Sequence, residues 1–145
     1  MKKEFQQRLL RHLNFLEGEI SDYPKFKSFE QKDYLTDRDK RRNVERWVEN
    51  IINSSVEIAK IILTLEGINL PDNYREIVAS VAAVEDLSTA KAEVLSKWVK
   101  FRNIVAHEYL DIKWNSIKKF IEETEPLYKN FIKKVKEYLE KRLQS

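Results

Sequence analysis

Apolar residues recur at helical spacing through the first half of this chain. Residues 4 to 20 are predicted to form an amphipathic helix that ends near Ser21 and Pro24, with its apolar face formed by Phe5, Leu9, Leu13, Leu16 and Ile20. The stretch from Tyr23 to Leu35 is predicted to be a connection with room for a helical turn, whose aromatic residues pack back onto the body. A long second helix is predicted from about Asp37 to Glu66, with Gly67 as its left-handed C-terminal cap.

The second half continues the same pattern. Pro71 and Asp72 are predicted to open a third helix over residues 73 to 84. A fourth helix is predicted to begin near Ser88 or Thr89, with an apolar stripe formed by Ala90, Val94, Trp98, Phe101 and Val105. The last helical region is predicted from about residue 115 to residue 143, with a break near Thr124 or Glu125 caused by Pro126. Because no segment alternates like a strand, the pattern predicts one all-α domain over residues 1–145, a bundle of about five helices.

Composition excludes several classes of function. The chain has no cysteine, so disulfides, thiolate zinc sites and thiol catalysis are all excluded. Its net charge of +3 is too small to indicate a nucleic-acid binder by bulk electrostatics, although clustered cations allow one. No apolar run is long enough to span a membrane, and the N-terminus lacks the apolar core of a signal peptide. We therefore expect a soluble cytoplasmic protein.

The candidate chemistry lies in the eight residues from Arg102 to Tyr109, which read RNIVAHEY. They combine a phosphate-binding cation, a polar amide at Asn103, an imidazole at His107 and a phenol. On an ideal helix Arg102 and His107 lie about 140° apart, whereas Asn103 stacks on His107 and Tyr109 shares the side of Arg102. Two arrangements reconcile this geometry with a single site: the helix unwinds at His107, or two copies of the motif meet across a dimer.

This set of side chains suits the cleavage of RNA phosphodiester bonds without a metal or cofactor. Arg102 would bind the scissile phosphate through its planar fork and stabilise the charge that develops there. His107, with an ordinary pKa near 6.5, would take a proton from a ribose 2′-hydroxyl or give one to the leaving oxygen. Asn103 would support the imidazole, although it could equally cap the backbone or contact substrate.

Structural roles compete with these assignments. A single histidine on a helix is more often structural than catalytic, and the ring and polar tip of Tyr109 suit a half-buried helix edge. Trp98 and Phe101 are interpreted as core residues and not as a base-stacking platform. His12, four residues after Arg8, is interpreted as a surface or packing residue.

The whole string resembles the Arg-X4-His motif of the HEPN superfamily, and its continuation to Tyr109 resembles the Arg-X4-His-X-Tyr form of the HepT branch. The resemblance covers nearly the whole chain. HepT proteins have a similar length and a long second helix, and they place the motif late in a penultimate long helix. An aromatic and aspartate-bearing segment follows, here residues 110 to 114 with sequence LDIKW.

The resemblance implies a metal-independent endoribonuclease toxin that acts as a homodimer, with the two motifs facing each other in a cleft. Its partner would be a minimal nucleotidyltransferase, the MNT antitoxin. Carried over by position, Arg102 and His107 are catalytic, Asn103 supports them, and Tyr109 is the residue that the antitoxin adenylylates. Nucleotide phosphate on Tyr109 would engage Arg102 and repel RNA.

Basic residues cluster at the start of the second helix, at Arg38, Lys40, Arg41 and Arg42. A helix N-terminus disfavours cations that lack a partner, so this cluster is a candidate for contact with RNA or with an acidic surface of the antitoxin. A solvated face is the simpler interpretation. A second function also fits the chain: a non-catalytic helical module that presents substrate to a separate nucleotidyltransferase. A purely structural scaffold, with Arg102 and His107 paired to glutamates, would leave the eight-residue string without a role.

Overall fold

Helices dominate the structure, a computed structural model that describes residues 2–106 and 109–144, with side chains for all of these except 104–106 and 144. Four of its α-helices are long: α1 (Lys3–Ile20), α4 (Arg38–Leu65), α7 (Leu110–Glu123) and α8 (Glu125–Gln144). Four are short: α2 (Tyr23–Lys27), α3 (Gln31–Thr36), α5 (Tyr74–Ser80) and α6 (Ala92–Ser96). Segments of 3₁₀ helix cover Val81–Ala83, Glu85–Leu87 and Lys97–Ala106.

The first two long helices confirm the predictions. Helix α1 buries Leu9, Leu13, Leu16 and Ile20. The side chain of Asp37 caps α4 by accepting hydrogen bonds from the backbone amides of Asp39 and Lys40, both at 3.1 Å. Gly67 has a φ of 70°, the left-handed conformation that ends a helix without the steric cost of a Cβ.

Residues 23 to 36 form two short helices where a connection is predicted, but their aromatic rings pack as expected. Phe26 stacks on Trp47 with ring centroids 4.4 Å apart, and Tyr23 meets the same indole edge-on at 4.7 Å. Tyr34 is fully buried. These rings supply core area that the short helices could not provide from aliphatic residues alone.

The predicted fourth helix is wrong in its start and its length, and its predicted apolar stripe is buried only in part. Helix α6 begins only at Ala92, after Lys91 in a left-handed conformation with a φ of 57°, and it ends at Ser96. Val94, which the predicted stripe places in the core, is 40% exposed, whereas Leu95 and Val99 are buried. Ala90 and Phe101 of the predicted stripe are nevertheless buried, and Trp98 is partly buried, so packing buried members of two apolar sets and not one regular stripe. The side chain of Val105 lies outside the described part.

The other differences are smaller. The α-helical part of the third helix ends at Ser80 and continues as 3₁₀ helix, whereas a helix to residue 84 is predicted. Helix α7 begins at Leu110, five residues before the predicted start, because Lys113 and Trp114 are also buried on its inner face. The break near Pro126 is confirmed: Thr124 ends α7 and α8 begins at Glu125.

An all-α architecture is confirmed, but the count of about five helices is wrong because the described residues contain eight α-helices, four of them short. Helix α4 is the central element, about 42 Å long at 1.5 Å per residue. It packs against α1, α3, α5, α7 and the segment Lys97–Ala106. None of the described helices combines the length and the apolarity needed to cross a membrane.

Candidate active site

The backbone around the motif is not a continuous α-helix. Residues Lys97–Ala106 form 3₁₀ helix, and Asn103 interrupts it with non-helical angles, φ −111° and ψ 50°. Tyr109 is extended, with φ −103° and ψ 126°, and it immediately precedes α7. Ideal helix angles therefore do not hold between Arg102 and Tyr109, and the prediction that these two residues share one helical side is wrong. The helix is already interrupted at Asn103. Unwinding at His107, one of the two arrangements considered from the sequence, lies outside the described residues.

Arg102 is held by two elements of the bundle. Its Nε donates a 3.0 Å hydrogen bond to the side-chain oxygen of Asn53 on α4. Its guanidinium carbon lies 4.1 Å from the centre of the Tyr74 ring, at the start of α5, in a cation–π contact. Both contacts leave the two Nη groups without a hydrogen-bond partner among the described residues. A planar fork fixed at its base suits the binding of two oxygens of one phosphate.

The environment of Arg102 on α4 is mixed in charge. A groove runs along α4 between Asp39 and Asn53, and it also contains Arg42, Glu45, Arg46 and Glu49. Burial raises the pKa of Glu49, and the neighbouring Glu45 carboxylate raises it further, whereas Arg46 and Arg102 act in the opposite direction. The cation of Arg102 thus lies close enough to Glu49 to oppose the effect of burial on the pKa of that carboxyl.

Tyr109 lies at the surface and is attached to a buried polar network. Its side chain is 64% exposed. One turn into α7, the backbone amide of Lys113 donates to the carbonyl of Tyr109 at 3.0 Å, and the buried ammonium of Lys113 lies 3.9 Å from Glu45 on α4. The hydroxyl of Tyr34 donates to the same carboxylate at 2.7 Å. This network ties the first turn of α7, and with it Tyr109, to the central helix.

A family model described as ribonuclease HepT-like matches residues 16–135. The chain belongs to the HepT-like ribonuclease family.

Among solved structures, the crystal structure of a mutant of the toxin–antitoxin MntA–HpeT is similar to this HepT-like chain with a TM-score of 0.77 and 15% identity. The match covers 90% of this chain and 98% of that chain. At this identity the likeness shows a shared fold. No curated protein matches the chain.

The structure describes only some of the remaining motif residues of the HepT-like chain. Asn103 is exposed at the break in the 3₁₀ helix. His107 and Glu108 lie outside the described residues. Among the residues that are described, no three histidines, aspartates or glutamates cluster as ligands for a metal ion.

The basic residues clustered at the start of α4 lie in different environments. Lys40 pairs with Asp33 at 3.2 Å, and the guanidinium of Arg41 lies 5.9 Å from the centre of the Tyr34 ring. Arg38 and Arg42 are exposed, and Arg42 borders the mixed-charge groove of α4. Contact of this cluster with RNA or with the antitoxin stays a prediction.

Two further interpretations can be compared with the structure. Phe101 is buried as a core residue, but Trp98 is only partly buried and borders a surface groove. His12 is partly buried and lines a small groove with Asn50, Asn53 and Glu57 of α4, as expected for a surface or packing residue. Burial lowers the pKa of His12, whereas the Glu57 carboxylate raises it and Arg8 and Arg11 lower it.

Four residues that position the site were not predicted from the sequence: Asn53, Tyr74, Glu45 and Lys113. Asn53 is 49 residues from Arg102, so no local spacing links the two. A buried Glu45 and Lys113 read in the sequence as ordinary charged positions on amphipathic helices. Only a map of which helix faces meet could have identified them.

Proposed function

We propose that this protein is a metal-independent endoribonuclease toxin that acts as a homodimer and is neutralised by an MNT nucleotidyltransferase antitoxin. Membership of the HepT-like ribonuclease family supports the activity. Similarity to a chain from a toxin–antitoxin structure supports the biological role. The observation that carries the mechanism is the guanidinium of Arg102, fixed through its Nε by Asn53 and through its face by Tyr74.

In the proposed mechanism, the two Nη groups of Arg102 bind the scissile phosphate. The ribose 2′-oxygen attacks phosphorus and the bond to the 5′-oxygen breaks. His107 carries out one of the two proton transfers, either taking the proton from the 2′-hydroxyl or giving one to the leaving 5′-oxygen, and water carries out the other. Acid–base help of this kind is typically worth ~10² to 10⁴ in rate. Arg102 stabilises the additional negative charge of the transition state, and Asn103 supports the imidazole. No step requires a metal ion, because the nucleophile belongs to the substrate.

Regulation would act through Tyr109. Its exposure makes the phenolic oxygen accessible to a second protein. Transfer of a nucleotide forms a bond from that oxygen to the α-phosphorus of ATP and releases pyrophosphate. The new phosphate would carry negative charge into the motif, where it competes with RNA for Arg102.

The test is incubation of the purified, unmodified protein with transfer RNA in EDTA, beside His107→Ala and Arg102→Ala. We expect cleavage by the unmodified protein and at least 10²-fold less by each variant. His12→Gln is the matched control, because His12 is the other histidine of the chain. We expect it to cleave normally.

Sedimentation of the same samples measures the dimer. Absence of cleavage by a dimeric protein whose intact mass shows an unmodified Tyr109 would contradict the nuclease proposal. It would support the second function, a non-catalytic module for a nucleotidyltransferase.

A further inference from the structure

A groove of about 600 Å³ lies between the segment Lys97–Ala106 and α7. Its apolar surface includes Trp98, Phe101 and Leu127, and at its edge Val94 and Ile112 are 40% and 54% exposed. Grooves lined by apolar and aromatic side chains with a few polar groups are typical of ligand-binding sites. The groove is therefore a candidate binding surface, distinct from the mixed-charge groove on α4.

Trp98 gives this groove an aromatic surface. Its ring packs edge-on against Phe120 with centroids 5.9 Å apart and lies 5.6 Å from Phe101. These contacts hold one side of the indole against the core, while part of the ring stays accessible to solvent. The other two tryptophans, Trp47 and Trp114, are only 3% and 5% exposed. A fixed, partly exposed indole suits stacking with a planar ligand, because little side-chain entropy is lost when the ligand binds.

The polar part of the groove is predominantly positive. Lys97, Lys100 and Lys119 border it, against the single carboxylate of Glu123. In the described part of the chain, none of these three lysines forms an ion pair. The α4 groove differs, since Asp39, Glu45 and Glu49 there oppose Arg42 and Arg46. Charge complementarity therefore favours an anionic ligand in the groove beside α7.

The groove also leads toward the catalytic motif. A 3₁₀ helix has three residues per turn, so residues spaced by three lie along one edge. Lys97, Lys100 and Asn103 have this spacing, and the helix breaks at Asn103. A strand whose phosphates follow the two lysines would therefore arrive at the segment that carries Arg102.

We propose that this groove binds single-stranded RNA, with a base on Trp98 and backbone phosphates beside Lys97, Lys100 and Lys119. Aromatic stacking combined with lysine contacts is the general mode by which proteins bind single strands. The inference rests on the proposed nuclease function, for which the groove would be the substrate-binding surface outside the cleavage site.

The test uses a fluorescein-labelled single-stranded oligodeoxynucleotide, which lacks the 2′-hydroxyl and is not cleaved. Anisotropy measures its affinity for the full-length protein and for the double variant Lys97→Gln/Lys119→Gln. We expect the double variant to bind about tenfold more weakly, and the slope of log affinity against log salt to fall by ~0.7 per lysine. The matched control is Lys118→Gln/Lys133→Gln, which changes two exposed lysines that do not border the groove. We expect it to bind as the parent protein does.

Tryptophan fluorescence provides the second measurement. An unlabelled oligonucleotide should quench the protein's emission, and Trp98→Phe should remove most of that quenching because Trp47 and Trp114 are buried. Equal affinity of the two double variants, or quenching that persists in Trp98→Phe, would overturn the proposal. Unchanged binding together with loss of the dimer in the groove variant would assign the surface to protein contact instead. A protein that binds the oligonucleotide through this groove but does not cut RNA would leave the groove assignment standing and contradict the nuclease function.

Discussion

Arg102 and Asn53 are joined by a 3.0 Å hydrogen bond from the guanidinium Nε to the side-chain amide oxygen, although 49 positions separate them in sequence. The bond fixes the base of the guanidinium fork on the central helix. The cation–π contact with Tyr74 restricts the plane of the same group. Orientation of Arg102 thus depends on α4 and α5, which lie outside the motif, and this dependence can be measured.

Asn53→Ala should lower kcat/KM for RNA cleavage by about tenfold, because a hydrogen bond to a charged group contributes about 1.5 kcal/mol. Asn14→Ala, on the exposed face of α1, is the matched control and should cleave normally. Steady-state kinetics of the Arg102→Ala/Asn53→Ala double variant complete a double-mutant cycle for this pair. If Asn53 acts through Arg102, the double variant should be no slower than Arg102→Ala alone. Additive losses would contradict a positioning role.

Tyr109→Phe should remove modification and preserve cleavage. The phenylalanine keeps the ring and lacks the oxygen that would accept the nucleotide, so intact mass after incubation with the antitoxin and ATP should stay that of the unmodified chain. Tyr74→Phe is the control for an exposed tyrosine outside the motif, and it should still gain mass. Nucleotide addition to Tyr109→Phe would place the modification on another residue.

Glu45→Ala should destabilise the protein by about 3 kcal/mol, because it removes the carboxylate that faces the buried ammonium of Lys113 and the hydroxyl of Tyr34. Tyr34→Phe should lower the free energy of unfolding by about 1 kcal/mol, which is the contribution of one hydrogen bond. Urea unfolding measures both, with Glu122→Ala on the exposed face of α7 as the control. A loss below about 1 kcal/mol in Glu45→Ala would show that the network does not anchor α7.

Acid should destabilise the protein partly through His12. Its pKa is lowered from 6.5, principally by burial, so the unfolded chain takes up a proton in a range where the folded protein does not. The free energy of unfolding should therefore fall as pH falls from 6.5 through the folded-state pKa. Above 6.5 this contribution should be complete and constant. NMR titration of the imidazole measures the pKa directly, and it should lie below 6.5. In urea unfolding, His12→Gln should show a weaker pH dependence over the same range.

Local patterns correctly predicted the elements whose boundaries depend on neighbouring residues. Asp37 caps α4 through amides two and three positions away, and Gly67 ends that helix region because it tolerates a positive φ. The break at Thr124 follows from Pro126 in the same way. Amphipathic spacing also identified the buried face of α1. Each of these features involves interactions within about one helical turn.

The segment from Ser88 to Tyr109 could not be predicted in this way. It contains two apolar sets at helical spacing. Packing buried Leu95 and Val99 from one set and Ala90 and Phe101 from the other, and it left Val94 exposed. The same packing accompanies the change from α-helix to 3₁₀ helix and the break at Asn103. A periodicity argument assumes one regular helix, so it could not anticipate either change.

The sequence by itself determined the helical class, the long helices and the residues of the motif, because helix periodicity and residue chemistry are local properties of the chain. Tertiary structure alone decided that Asn53 and Tyr74 hold Arg102, and that Glu45 and Lys113 tie Tyr109 to α4. It also decided that lysines from two elements share a groove with Trp98. These relationships join residues far apart in the chain, and they exist only once hydrophobic burial has brought the helices together.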